Sequence, residues 1–175
     1  MNEPPPLRRA LLDPARKLYA DAEALLAAAE HLPRPWVFTN GVFDLLHRGH
    51  AAYLAQAKAL GASLIVGVNS DASARGLGKG PGRPLVAEHD RCYLLAALES
   101  TDAVLTFAEP TPLALIAALR PDVYVKGGDY DIDKLAEAAL VRSWGGRAQA
   151  LPFAEGYSSS ALVRRIDDAQ RRSSQ

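Results

Sequence analysis

Cysteine is nearly absent: Cys92 is the only one. No internal disulfide framework is possible, and such a chain suits a reducing, cytoplasmic setting. Cys92 falls in a segment expected to be a buried helix, which gives its thiol a structural role. A surplus of charge is also missing. Lys and Arg total 20 and Asp and Glu total 20, for a formal net charge of +0. No strong field draws the protein to nucleic acid or to an anionic membrane, so neither is expected as a partner. No stretch approaches the roughly 20 apolar residues of a membrane span. The start of the chain, with Pro4-Pro5-Pro6 and Arg8-Arg9, lacks the apolar core of a secretory signal. No internal repeat is found. A soluble protein is expected, with residues 1–14 a flexible arm, 15–35 an N-terminal helix and Pro-rich linker, 36–170 one domain, and 171–175 a tail.

What is present is enough for a sizeable core: 175 residues, 49% of them hydrophobic, the range of a globular protein. The chain is organised around Trp36-Val37-Phe38-Thr39-Asn40-Gly41-Val42-Phe43-Asp44-Leu45-Leu46-His47-Arg48-Gly49-His50. An apolar run stops at Asn40-Gly41 and turns into a helix, with Gly41 expected to take a conformation a Cβ would forbid. His47 and His50 are three apart and share a helix face, with Gly49 leaving space between them. A strand feeding a helix start presents unpaired N–H groups and the positive end of a dipole. Two imidazoles beside it can donate to phosphate oxygens. A metal is the weaker reading of this pair, because no Cys, Glu or third His stands nearby at ligand spacing.

The remaining chain alternates. A helix is expected over 15–31, with Leu18, Ala22, Leu25, Leu26 and Ala29 as its apolar stripe, packed on the domain or on another subunit. The helix after His50 should place Tyr53, Leu54 and Ala57 inward and be capped by Gly61. Residues 64–68 form a second buried strand, ending at Asn69-Ser70-Asp71, where open α/β sheets bind ligands. Ala74 to Pro84 carries glycines, prolines and Arg75, Lys79 and Arg83; it reads as a mobile loop able to close over phosphates, or as a plain linker. A helix over 88–99 should turn Leu94, Leu95 and Leu98 inward. Arg91 near its start is mildly unfavourable and implies a carboxylate or a ligand phosphate as partner. A third strand covers 103–107. Thr111 caps a helix that runs to Leu119, with Pro112 at its first position. A fourth strand over 122–125 leads to Lys126-Gly127-Gly128-Asp129-Tyr130. A helix over 133–144, a fifth strand over 148–151 and a helix over 161–170 follow. The last begins after Ser158-Ser159-Ser160, good caps and good phosphate donors. Five strand–helix alternations predict a three-layer, Rossmann-like α/β fold with a five-stranded parallel sheet.

The His47–His50 stretch resembles the signature of the His-x-Gly-His nucleotidyltransferases. Five segments in register sharpen the resemblance: His47–His50, Asn69–Asp71, Lys79–Pro84, Asp122–Asp129, and Leu151–Phe153 with Tyr157–Ser160. Together they resemble the adenylyltransferase domain of ADP-heptose synthases over about Trp36 to Ile166. This resemblance implies the reaction of heptose 1-phosphate with ATP to ADP-heptose and pyrophosphate, for lipopolysaccharide cores. It implies His47, His50 and Lys79 as catalytic residues. It places the nucleotide on Thr39, Asn40, Gly41, Phe43, Gly49, Arg83, Lys126, Gly128, Ser158, Ser159, Ser160 and Arg164. It places Asp44, Asn69, Asp71, Arg91 and Asp129 around the sugar phosphate. Mg²⁺ is expected with ATP, with no protein ligand identified. A homo-oligomer and a separate heptose kinase are expected as partners. The chain departs from its relatives at Val42, where many carry Cys, and at Ile132 to Glu137, where they continue through a Val/Ala-Gly turn. Other readings stay open: a cytidylyltransferase for glycerol 3-phosphate or a similar alcohol phosphate, a non-catalytic nucleotide sensor, or an oligomeric scaffold.

Overall fold

The computed structural model describes residues 13–78, 80, 82–128, 130–152 and 156–173. Five strands, β1 (Trp36–Gly41), β2 (Ser63–Asn69), β3 (Ala103–Phe107), β4 (Val123–Gly127) and β5 (Arg147–Leu151), form one sheet in the order β3-β2-β1-β4-β5. Every pairing is parallel, with Phe38 opposite Ile65 on one side and Tyr124 on the other. Every residue of β2 is buried, as expected of a parallel strand covered on both faces.

Alternate side chains of the strands feed two cores. Trp36, Phe38, Ile65, Leu105 and Tyr124 face one layer, built by α1 (Ala22–Ala27), α5 (Leu113–Leu119) and α6 (Ala136–Arg142). Val37, Leu64, Val66, Val104, Val123 and Val125 face the other, built by α2 (Arg48–Lys58) and α4 (Glu88–Ala96). Two further helices, α3 (Asp71–Gly76) and α7 (Ser159–Ser173), follow β2 and β5. The three-layer expectation holds. The chain builds outward from β1 through β2 to β3, then crosses to place β4 on the other side of β1. The carboxyl ends of β1 and β4 therefore diverge, and that switch point is where open α/β sheets form their ligand crevice.

Several element predictions need correction. The helix expected over 15–31 is broken into a 3₁₀ turn (Pro14–Lys17), α1 and a second 3₁₀ turn (Ala29–His31). Between the first two, Leu18 is extended and bridges Val104, with Tyr19 N–H donating to the Val104 carbonyl at 2.9 Å. The β3 edge offers backbone groups that must be satisfied, and this bond outweighs helix propensity. Asp21 then caps α1, accepting from Ala24 N–H at 2.8 Å. Leu25 is fully buried, but Leu26 is 42% exposed.

In α4, Leu95 is buried while Leu94 is 46% exposed, because Arg91, Cys92, Leu95 and Ala96 take the inner face. Gly61 is needed for close approach: a Cβ there would lie 2.5 Å from the Pro35 carbonyl oxygen. The first residues of the expected 74–84 loop belong to α3. α5 begins at Leu113 without a side-chain cap from Thr111. A 3₁₀ turn (Ile132–Lys134) precedes α6, which ends at Arg142. α7 starts at Ser159 and runs through Ser173, into the expected tail.

Candidate active site

β1 delivers the site. Beyond Gly41, Phe43 takes a left-handed backbone conformation, φ 51°, which is uncommon for a bulky residue. Gly41 serves this turn through space rather than through its own φ: a Cβ on it would stand 3.1 Å from the Phe43 ring. The Phe43 ring meets His50 edge-on, with centroids 5.5 Å apart.

His47 is the N-cap of α2, and the two histidines cap one another. His47 Nδ1 accepts from His50 N–H and His50 Nδ1 accepts from His47 N–H, each at 3.4 Å. The rings stack with centroids 3.9 Å apart. A ring nitrogen that accepts carries no proton, so each neutral imidazole holds its proton on Nε2. Burial holds the His47 pKa below its ordinary 6.5, partly offset by its backbone hydrogen bond. For His47 the neutral donor form is therefore the one present at neutral pH.

α7 closes over this pair. A Cβ on Gly49 would lie 2.9 Å from the Tyr157 Cβ and 3.0 Å from the His47 ring, so the space Gly49 leaves is occupied by Tyr157. Arg48 fastens the contact, donating to the Tyr157 hydroxyl at 3.1 Å. Ser158 caps the start of α7 by accepting from Ala161 N–H at 3.1 Å, and the Ser159 hydroxyl donates to the Leu45 carbonyl at 3.3 Å. The result is a cavity of about 440 Å³ between two helix starts, lined by His47 and His50 on one side and Ser158, Ser159 and Ser160 on the other, with Arg83 at its edge. A second cavity, of about 400 Å³, shares Val42, Phe43 and His50 with the first and opens toward β4. Its polar lining includes Asn40, Asn69, Lys126 and Glu137, and its apolar lining includes Leu77, Pro112 and Tyr130. Two adjoining cavities with His50 at the seam suit a reaction that joins two ligands.

A profile of the cytidylyltransferase-like family matches residues 38–165. The chain belongs to that family. Over 151 residues it is 60% identical to the D-beta-D-heptose 1-phosphate adenylyltransferase of Bordetella bronchiseptica, covering 86% of this chain and 93% of that protein. Over 144 residues it is 51% identical to the bifunctional protein HldE of Helicobacter pylori (strain G27), covering 82% of this chain but 30% of that one. Among solved structures, the lipopolysaccharide core biosynthesis protein from Thermoplasma volcanium GSS1 superposes with a TM-score of 0.58 at 29% identity, over 70% of this chain and 98% of that one.

Within this cytidylyltransferase-like site, the residues expected from sequence fall into three groups. His47, His50, Phe43, Asp44, Arg83 and Ser158–Ser160 line the larger cavity, and Asn40, Gly41, Asn69 and Lys126 line the smaller one. Lys126 Nζ donates to Asn40 Oδ1 at 3.2 Å and lies over the Tyr130 ring.

A second group, which overlaps the first at Asp44 and Asn69, is committed to the scaffold. Thr39 is fully buried, its hydroxyl 2.6 Å from that of Tyr53. Asp44 pairs with Arg83 Nε at 2.6 Å and accepts from Leu85 and Val86 N–H at 2.7 and 2.9 Å. Arg91 meets a carboxylate rather than a phosphate. Its guanidinium has no exposed surface, pairs with Asp71 at 2.7 Å, and donates to the carbonyls of Val42, Asn69 and Val86. The Asn69 amide donates to Ser73 Oγ at 2.9 Å. The buried Arg91 thus stitches the ends of β1 and β2 to the segment returning from the Gly-rich loop. Gly49 packs under Tyr157. Gly128 lines neither cavity and donates to the Leu151 carbonyl. Arg164 is exposed on α7 and also lines neither.

Lys79 and Asp129 form the third group and lie outside the described residues. Sequence reasoning missed Tyr157, Tyr130, Leu77 and Glu137. Tyr157 and Tyr130 belong to segments quoted above, Tyr157–Ser160 and Lys126–Tyr130, without being given a site role there, and both are large side chains left exposed.

Proposed function

We propose that the chain is a heptose 1-phosphate adenylyltransferase, converting the sugar phosphate and ATP to ADP-heptose and pyrophosphate. Its chief support is the reciprocal capping of His47 and His50, which presents two Nε2–H donors to a cavity walled by a serine-bearing helix start. The name of the 60%-identical relative, a D-beta-D-heptose 1-phosphate adenylyltransferase, supports the same substrates. The triphosphate takes the larger cavity, with its tail on Ser158–Ser160 and Arg83. The acceptor takes the smaller cavity, its phosphate beside Lys126 and His50, which moves Asn40, Gly41 and Lys126 from the nucleotide, where the resemblance placed them, to the acceptor.

An anionic oxygen of the acceptor phosphate attacks the α-phosphorus. The bond from that phosphorus to the oxygen bridging to the β-phosphate breaks, and pyrophosphate leaves with the electron pair. The attacking oxygen carries no proton, so no general base is required. Catalysis consists of placing two anions together and donating hydrogen bonds to the charge on the α-phosphate. Among the described residues no three His, Cys, Asp or Glu side chains converge on a metal position. Asp44, the carboxylate lining the larger cavity, is already held by Arg83 and two N–H groups. We propose that Mg²⁺ arrives with ATP, held chiefly by phosphate oxygens and water. A cytoplasmic setting, a homo-oligomeric state and a heptose kinase acting beforehand complete the proposal.

Pyrophosphate release with ATP or CTP, each paired with heptose 1-phosphate or glycerol 3-phosphate, tests the assignment. ATP with heptose 1-phosphate should give the highest kcat/KM. If CTP with glycerol 3-phosphate gives it instead, the chain is an alcohol-phosphate cytidylyltransferase.

A further inference from the structure

A carboxylate lines the smaller cavity with no hydrogen-bond or ion-pair partner among the described residues. Glu137, near the start of α6, is half-buried and lines that cavity with Asn40, Lys126 and Tyr130. No hydrogen bond or ion pair to a described residue holds it. Its charge nevertheless reaches the polar groups around it. Burial first, then the field of Glu137, push the Tyr124 phenol far above its ordinary range. Tyr124 donates to Asn40 Oδ1, the same oxygen that receives Lys126 Nζ. Glu137 therefore adjoins a connected polar wall rather than bulk solvent.

An ionised carboxylate only accepts hydrogen bonds, and an ammonium only donates. With both in one cavity, an acceptor that is anionic at one end and hydroxylated at the other has one favourable direction. Its phosphate lies by Lys126 and His50, and its hydroxyls lie by Glu137; the reverse would place a carboxylate against a phosphate dianion. In heptose 1-phosphate the hydroxyls farthest from the phosphate are those of the C6–C7 glycol. We propose that Glu137 is a specificity residue of the acceptor site, accepting hydrogen bonds from that glycol and selecting a seven-carbon sugar over a hexose. This rests on the adenylyltransferase reading above.

The test compares wild type, Glu137→Gln and Glu137→Ala on heptose 1-phosphate and on mannose 1-phosphate of the same anomeric configuration, which shares the ring and ends at C6. A hydrogen bond to a charged group supports a change of about tenfold or more. Glu137→Ala should lose about tenfold or more in kcat/KM on heptose 1-phosphate and Glu137→Gln, which still accepts but carries no charge, a smaller but measurable part of it, with less than about twofold lost on mannose 1-phosphate by either variant and the KM for ATP and the melting temperature unchanged. No loss, an equal loss on both sugars, or a rise confined to the KM for ATP overturns the assignment. Titration of heptose 1-phosphate without nucleotide separates this inference from the reaction. Wild-type binding weakened in both variants supports the Glu137 contact even if turnover proves to be something else. Absent wild-type binding, or binding the variants leave intact, overturns it.

Discussion

His47 and His50 each do two jobs with one ring, and the two can be separated. Nδ1 caps the helix, and each ring lines the cavity with Nε2–H as its donor group. Asn caps helices well but has no group in the place of Nε2. His47→Asn should therefore keep its melting temperature within a degree or two and still lose activity. His50→Ala, which removes a donor to the reacting phosphate, should lose about 10²–10³ in kcat, with far-ultraviolet circular dichroism unchanged. Near-wild-type kinetics in either variant would count against the proposed roles.

The pH dependence has a definite sign. The His47 pKa is lowered by burial, so between that value and about 6.5 the unfolded chain binds more protons than the folded one. The stability contribution is complete above about 6.5 and is lost as pH falls through the folded value. The acid limb of kcat/KM should lie below 6.5, and His47→Asn should lack that part of the change in melting temperature with pH.

At the scale of elements, the start of α7 is seated on the first turn of α2, and Gly49 permits it. On an isolated helix Gly→Ala gains about 1 kcal/mol. Here the added Cβ would lie 2.9 Å from Tyr157 and 3.0 Å from the His47 ring. Gly49→Ala should therefore raise the melting temperature little or lower it, and should reduce kcat by displacing the ring or the serine-bearing segment. A stabilised, fully active variant would show that the two helices do not need this contact. A second joint binds the segment after the Gly-rich loop to β1. Asp44 is 5% exposed and holds Arg83 and two backbone N–H groups. Asp44→Ala strands an arginine and two donors, a loss on the order of 3–5 kcal/mol for a broken buried pair. Asp44→Asn, which still accepts, should lose less; chemical denaturation measures both.

Over the whole molecule, residues 13–32 are tied to the core of the sheet. Leu25 is fully buried and Leu32 nearly so, both in the core that holds Phe38 and Tyr124. Trp36 Nε1 donates to the Leu32 carbonyl at 2.7 Å. Leu25→Ala should cost about 2–5 kcal/mol, read as a shift in denaturation midpoint, although Leu25 is remote from both cavities. A surface value of a few tenths would return residues 13–32 to the status of an appendage.

Apolar runs at 36–38, 64–68, 103–105 and 123–125, separated by helical spacing, suffice to predict four of the five parallel strands, because strands buried on both faces must be continuously apolar; the fifth, over 148–151, is only partly buried and follows from the alternation of strands and helices. The spacing of His47 and His50 likewise identifies a helix start shaped for phosphate. Those features are local, and local chemistry dictates them. What depends on chain segments meeting in space was not legible in the same way. The β3 edge draws Leu18 and Tyr19 out of a helical pattern. Asp71 and three carbonyls turn Arg91 into a buried brace. Arg83 holds Asp44, Tyr157 fills the gap above Gly49, and α6 carries Glu137 into a cavity formed by β1 and β4. A side chain's partners are set by long-range packing, and in this protein that packing decides which charged residues remain available to a ligand.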